Sequence, residues 1–266
     1  SIRSLRGRFF TGIHALSINT IFKKHPLVIA LQVPTASFLM LGSFLAHATT
    51  TLHPGMERTI QSGSRIDDWV IDSNAHLISN GAELKQSRVT AGNLTLNAGT
   101  KAQDIYASQG SQINLNGATV EARSSAQYAI NLQGSQMQVN ASSVINKNGV
   151  GILAARNFMG SDGSSVSVFN SLVQGSTQGA RTTSFSQINF VGSDVVATDE
   201  DGIGVLLYGG DVTASASRIT GGENGVRLSY ESPTLNASNL VLDGSHVEGR
   251  NGAALLVEGD EYGATE

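Results

Sequence analysis

Asp199, Glu200 and Asp201 form a tight acidic cluster in the body of this chain, and paired carboxylates are what glycosidic hydrolysis would require. That reaction needs two carboxyl groups roughly 5 to 9.5 Å apart across the scissile bond. The three residues lie between an apolar alternation and Gly202, where a solvated turn also accounts for them. A catalytic role would need further carboxylates lining the same groove. Asp67 and Asp68 precede the regular part of the sequence and read as an entry turn or cap.

Other chemistries find less support. A serine nucleophile at a strained elbow would show Gly-x-Ser-x-Gly, and no such pentapeptide occurs. Only His53, His76 and His246 lie beyond the N-terminal segment, far apart in sequence, whereas metal sites draw several ligands at short spacings. No phosphate-binding glycine loop opens a helix. The reading is therefore of a non-enzymatic chain with no metal and no cofactor.

The elements that would position any site announce themselves by repetition. Two alternating apolar residues are followed five positions later by a third, as Ala82-x-Leu84 to Val89, Ile113-x-Leu115 to Val120 and Met137-x-Val139 to Val144. The pattern continues as Val166-x-Val168 to Val173, Ile188-x-Phe190 to Val195, Val212-x-Ala214 to Ile219 and Leu240-x-Leu242 to Val247. Two positions before the third residue stands Ser87, Ser142, Ser171, Ser193, Ser217 or Ser245, with Ala118 the exception. Alternation of period two is the mark of a strand with one buried face, and the Ser with its small neighbours marks a turn. Ser at one corner of every unit predicts a stacked hydroxyl ladder or turn hydrogen bonds, a structural role.

The spacing averages about 26 residues with elastic connections, which belongs to a solenoid. Leucine-rich repeats would show dense Leu, and a propeller blade needs about 40 residues. Further short strands follow Gly149, Gly202, Gly225 and Gly252. Two or three short strands per unit, bent at Ser, Asn and Gly, describe rungs of an all-β parallel β-helix. Seven to nine rungs are expected, making a stack of roughly 35 to 45 Å at the inter-strand spacing.

Composition agrees. The 266 residues include 30 Gly and only 14% charged side chains, with a net charge of −4. No basic stripe runs through the repeats, so nucleic acid is a poor partner. No Cys occurs.

The first 48 residues differ in character. Arg3, Arg6, Arg8, Lys23 and Lys24 precede an apolar run over residues 27–45, and Ala46-His47-Ala48 supplies the small-x-small pattern of a signal peptidase site. Cleavage between Ala48 and Thr49 is expected, giving an extended signal peptide over 1–48, an N-terminal cap over 49–80 and β-helix repeats over 81–266.

The long basic n-region, the Ala-x-Ala site, the absence of Cys and rungs such as Ser217-Arg218-Ile219-Thr220-Gly221-Gly222 and Leu242-Asp243-Gly244-Ser245-His246-Val247 together resemble pertactin-like passenger domains of Gram-negative autotransporters. The resemblance implies a right-handed β-helix exported through the inner membrane by type V secretion. It would be displayed at the cell surface or outer membrane, or released, and would serve adhesion or virulence by binding a host-cell or matrix molecule. It also implies a C-terminal translocator barrel, so the sequence reads as an N-terminal fragment of a longer product or as a degenerate one. Glu258-Gly259-Asp260 lacks the cation of an Arg-Gly-Asp tripeptide.

Contacts would come from the longer excursions, since rung positions are fixed by stacking. Arg156, Phe158 and Met159 between Val144 and Val166, Arg181 in a Gly-Ala-Arg-Thr-Thr stretch, and Tyr230 before Pro233 are the candidate binding-loop residues. The alternatives are a secreted β-helical polysaccharide lyase or glycoside hydrolase, and a display stalk whose loops bind nothing.

Overall fold

The computed structural model describes residues 48–158, 160–229 and 237–258. All of them belong to one compact unit, Leu45–Glu266. Their regular structure is entirely β, and every strand pairing is parallel. Three sheets run the length of the unit, with ten strands in sheet I, nine in sheet II and seven in sheet III among the described residues. The chain visits them in the order I, II, III and then returns to I one rung further on. The fifth rung shows the plan: Tyr128–Gln133 in sheet I, Gln136–Asn140 in sheet II and Ser143–Asn146 in sheet III. The expected all-β parallel β-helix is the fold.

Strict register explains why alternation in sequence becomes a continuous core. Leu94, Ile113, Met137, Val166, Ile188 and Val212 stack as Cα partners along sheet II, and Leu115, Val139, Val168, Phe190 and Ala214 form the next inward column. The members of both columns are almost fully buried. Volume is compensated within a column: Phe190, the largest fully buried side chain, sits beside Ala214 on the following rung. Close packing of this kind leaves no void a methyl group could fill. Val120, Val144, Val173, Val195 and Ile219 line the inner face of sheet III in the same way.

Register also corrects the first copy of the sequence repeat. The other six copies span sheet II into sheet III, but Val89 lies in sheet I, paired with Ile71 and Ala107. Ser87 accordingly points inward from sheet I and takes no part in the corner where the other serines meet. The true equivalents of the apolar pair on that rung are Leu94 and Leu96. The segment 49–80 is likewise built of rungs, because Thr49–Leu52 pairs with Asp68–Ile71 and Glu57–Gln61 with His76–Asn80. Sheet III is missing from those first rungs and begins with Lys101–Ala102, which an isolated bridge joins to Glu83. Leu52, Ile71, Val89 and Ala107 are equivalent in register, so the early rungs are short, and later rungs lengthen as sheet III is added.

The corner between sheets II and III carries the serine ladder. The N–H of Ser142 donates to Ser171 Oγ at 3.0 Å, that of Ser171 to Ser193 Oγ at 3.2 Å, that of Ser193 to Ser217 Oγ at 3.1 Å and that of Ser217 to Ser245 Oγ at 3.1 Å. Ala118, which has no hydroxyl, still donates its N–H to Ser142 Oγ at 3.0 Å. Each hydroxyl in turn donates within its own rung, as Ser193 does to the Val191 carbonyl at 3.0 Å. A buried corner thus satisfies its N–H groups from the rung that follows.

The bend before each ladder position is left-handed: Gly117, Ala141, Asn170, Gly192, Ala216 and Gly244 all have positive φ. At the return from sheet III to sheet I the constraint is space instead. A Cβ on Gly175 would stand 1.7 Å from the Gln178 carbonyl oxygen, and one on Gly221 would stand 1.8 Å from that of Asn224.

Candidate binding surface

The predicted contact residues are distributed as follows. Arg156 begins an excursion that leaves sheet I after Val150–Ala155 and re-enters sheet II at Ser165–Phe169. Its base is closed by Asn157 N–H to the Asp162 carbonyl at 2.7 Å and Ser164 Oγ to the Ala155 carbonyl at 2.6 Å. Phe158, near its tip, is 89% exposed. Met159 and Tyr230 lie outside the described residues, as does Ala46. Ala48 is described, and Thr49 is the first residue of the first strand.

Arg181 is a correction. It lies within the strand Gln178–Thr183, not in a loop, and faces outward from sheet I with its guanidinium 5.3 Å from the Tyr208 ring centroid. Arg88 sits likewise over Tyr106 at 5.3 Å. Arg227 on the same face binds Glu258 at 2.5 Å, and this contact holds the Glu258 carboxyl below its usual value. Sheet I therefore shows arginines and aromatic rings, already engaged with each other.

The corner between sheets I and II gathers what the sequence left scattered. Both long connections, the excursion 156–163 and the one between Asn224–Ser229 and Asn239–Asp243, leave from this corner. Between them Phe185 stands 40% exposed with φ of 64°. Gly134 and Gly209 occupy the corresponding place on other rungs, two residues before the sheet II strand. A bulky residue in the left-handed region is strained. Gly163 packs directly on the Phe185 backbone, and a Cβ there would meet the Phe185 carbonyl oxygen at 1.6 Å. A cleft of about 470 Å³ opens beside the excursion, lined in part by Gln109, Gly134, Gln136, Asn157 and Asp162.

Sheet II presents the adjoining flat surface, and sequence reasoning missed it. Its outward residues stack in rows: Asn93, Gln112, Gln136, Ser165, Gln187 and Asp211 in one, and Thr95, Asn114, Gln138, Ser167, Asn189 and Thr213 in the next. Asp211 is the single ionisable residue in these two rows. A third row forms an amide ladder, with Asn97 donating to Asn80 at 2.7 Å, Asn116 to Asn97 at 3.3 Å and Asn140 to Asn116 at 3.1 Å. Shallow clefts of about 110 and 130 Å³ lie on this face, one bordered by Asn114, Gln138 and Ser167, the other by Ser167, Asn189 and Thr213. The alternation of outward polar residues is visible in the sequence, but their shared composition appears only once the rungs are in register.

Asp199, Glu200 and Asp201 stand exposed in the turn between Asp194–Ala197 and Ile203–Tyr208, closed by Gly202 N–H to the Asp199 carbonyl at 3.0 Å. Among the described residues, no group of three or more His, Cys, Asp or Glu side chains is placed to hold a metal ion.

The fold and its surfaces define the chain as a parallel β-helix. No family model, curated protein or solved structure matches it.

Proposed function

We propose that this chain is the β-helical passenger of an exported, surface-displayed protein of the pertactin-like autotransporter type. It acts by adhesion to a host-cell or matrix molecule, and a translocator barrel on the full-length product would carry it to the outer membrane. The observation that supports an adhesive role best is that both long excursions leave one corner, where Phe158 and Phe185 are exposed. Exposed aromatic residues beside a polar cleft are the usual anchors of a contact surface. The Ala46-His47-Ala48 site supports the export route, because cleavage there would release a chain whose first residue, Thr49, already pairs with Asp68.

Beads coated with the purified full chain test the adhesive role against cultured host cells and extracellular matrix. Truncation of Phe158 to Ala should lower adhesion about tenfold, the effect of losing a contact anchor of 1 to 2 kcal/mol, while the urea midpoint stays unchanged. Beads that adhere no better than uncoated ones would refute the role, and a large loss of stability in the variant would show Phe158 to be a packing residue.

A further inference from the structure

We infer that the outer face of sheet II, with the adjoining corner that carries Phe158 and Phe185, binds an uncharged polysaccharide lying across successive rungs. This inference names the ligand class of the adhesive reading and rests on it.

Functional-group chemistry is the first argument. Carboxamides and hydroxyls each offer donors and acceptors, as a surface that reads sugar hydroxyls must. Asn114, Gln138, Asn189 and Thr213 hold these groups in one row, at register positions that repeat every rung. Rungs are about 4.8 Å apart, so a polymer of repeating units meets the same groups at successive steps. A folded protein receptor would instead call for an apolar core within the contact patch.

Charge is the second. Between Asn93 and Thr213 the two rows carry one ionisable residue, Asp211, while the arginines that would attract a polyanion lie on sheet I and are engaged with Tyr106, Tyr208 and Glu258. A nearly neutral face spends no binding energy stripping water from charges, and it offers a polyanion nothing.

Strain is the third and independent argument. Phe185 keeps φ of 64° where Gly134 and Gly209 serve on other rungs. Left-handed backbone costs a residue with a Cβ about 1 to 2 kcal/mol. Backbone strain that surrounding structure enforces is concentrated at functional sites. Here the strained residue exposes an aromatic ring at the edge of the amide face, beside the cleft bordered by Gln136 and Asn157. An exposed ring supplies stacking area for the apolar face of a pyranose.

The test is retention of the purified full chain on immobilised dextran, galactomannan and mixed-linkage β-glucan, with heparan sulfate as the polyanionic contrast. Binding to at least one uncharged polysaccharide, unchanged between low and high salt, is expected. Phe185→Gly should weaken it about tenfold or more while the melting temperature holds or rises, since the strain is relieved and no packed group is lost. Gln138→Ala should weaken it as well, and Arg88→Ala on sheet I should leave it intact. Retention on heparan sulfate alone, or uncharged-glycan binding indifferent to both Phe185→Gly and Gln138→Ala, would overturn the inference. Bead adhesion that persists without any polysaccharide binding would overturn it and leave the adhesive reading standing. Polysaccharide binding without cell or matrix adhesion would support the inference and sink the adhesive reading.

Discussion

At the scale of single residues, the corner between sheets II and III shows how little separates a satisfied backbone from a strained one. Ser193 Oγ accepts the buried Ser171 N–H and donates to Val191. Ser193→Ala leaves that N–H without an acceptor, and a loss of about 1 to 3 kcal/mol is expected in urea titration. Ala216 offers the opposite case. It is exposed, and its φ is 47° where Gly192 and Gly244 stand on the neighbouring rungs. Relief of left-handed strain exceeds the extra unfolded-state freedom of glycine, so Ala216→Gly should raise stability by about 0.5 to 1 kcal/mol by the same titration. The ladder serines are legible in the sequence because each hydroxyl has one fixed task. The left-handed positions are not, since Gly, Ala, Asn and even Phe occupy them and no single residue type marks the bend.

At the scale of elements, legibility depends on whether a rung has all three sides. From Ile113 onward each rung repeats an apolar pair, a left-handed bend and a valine or isoleucine, and the repeat names both sheets correctly. Earlier rungs lack most of sheet III, so Ala82-x-Leu84 imitates the apolar pair while lying on another side of the stack, and the segment 49–80 looks like a cap although its strands are paired in register. Arg181 is misplaced for a related reason: Gly179 and two threonines suggest a loop, yet a Cβ on Gly179 would stand 2.6 Å from the Gly204 carbonyl oxygen, so the glycine marks close packing within a strand.

The last described strand, Leu255–Val257, is tied down by the Glu258 amide to the Leu228 carbonyl at 2.9 Å and by the Glu258 carboxylate to Arg227 and Ser229. Hydrogen bonding from Arg227 lowers the Glu258 pKa against the opposing effect of desolvation, with Ser229 and the Arg227 charge assisting. A lowered folded-state value means the contribution is whole above the ordinary glutamate value of about 4.3 and is lost as the pH falls through the folded one. Hydrogen-exchange protection of the Glu258 amide, corrected for intrinsic rate, should therefore fall on acidification below about pH 4. Arg227→Gln should remove that pH dependence, and protection unchanged in acid would rule out the coupling.

At the scale of the whole β-helix, rungs contact chiefly their immediate neighbours, and stability approximates a sum of rung and interface terms. Asp194 and Arg218 are register partners, so removal of residues 194–217 excises one complete rung and rejoins equivalent positions. The shortened chain should still fold cooperatively, with circular dichroism of the same form and a modestly lower urea midpoint. Removal of residues 194–205 instead rotates each later strand onto the wrong side, and that variant should be insoluble. The two ends also differ. Leu52 and Ile60 on the first rung are buried, whereas Leu242, Leu255 and Val257 on the last described rungs are 41%, 46% and 65% exposed.

The close spacing of paired strands has a temporal consequence. Most hydrogen bonds of the three sheets and the serine ladder join segments one rung apart in sequence, as the 22 residues between Ser171 and Ser193 illustrate. No rung waits for a remote stretch of chain, so loop-closure entropy is met in small, equal instalments. A polypeptide emerging end-first from a narrow pore could then settle one coil at a time upon the coil before it. Each settled coil would oppose backward slippage, turning folding into directed movement without a nucleotide to drive it.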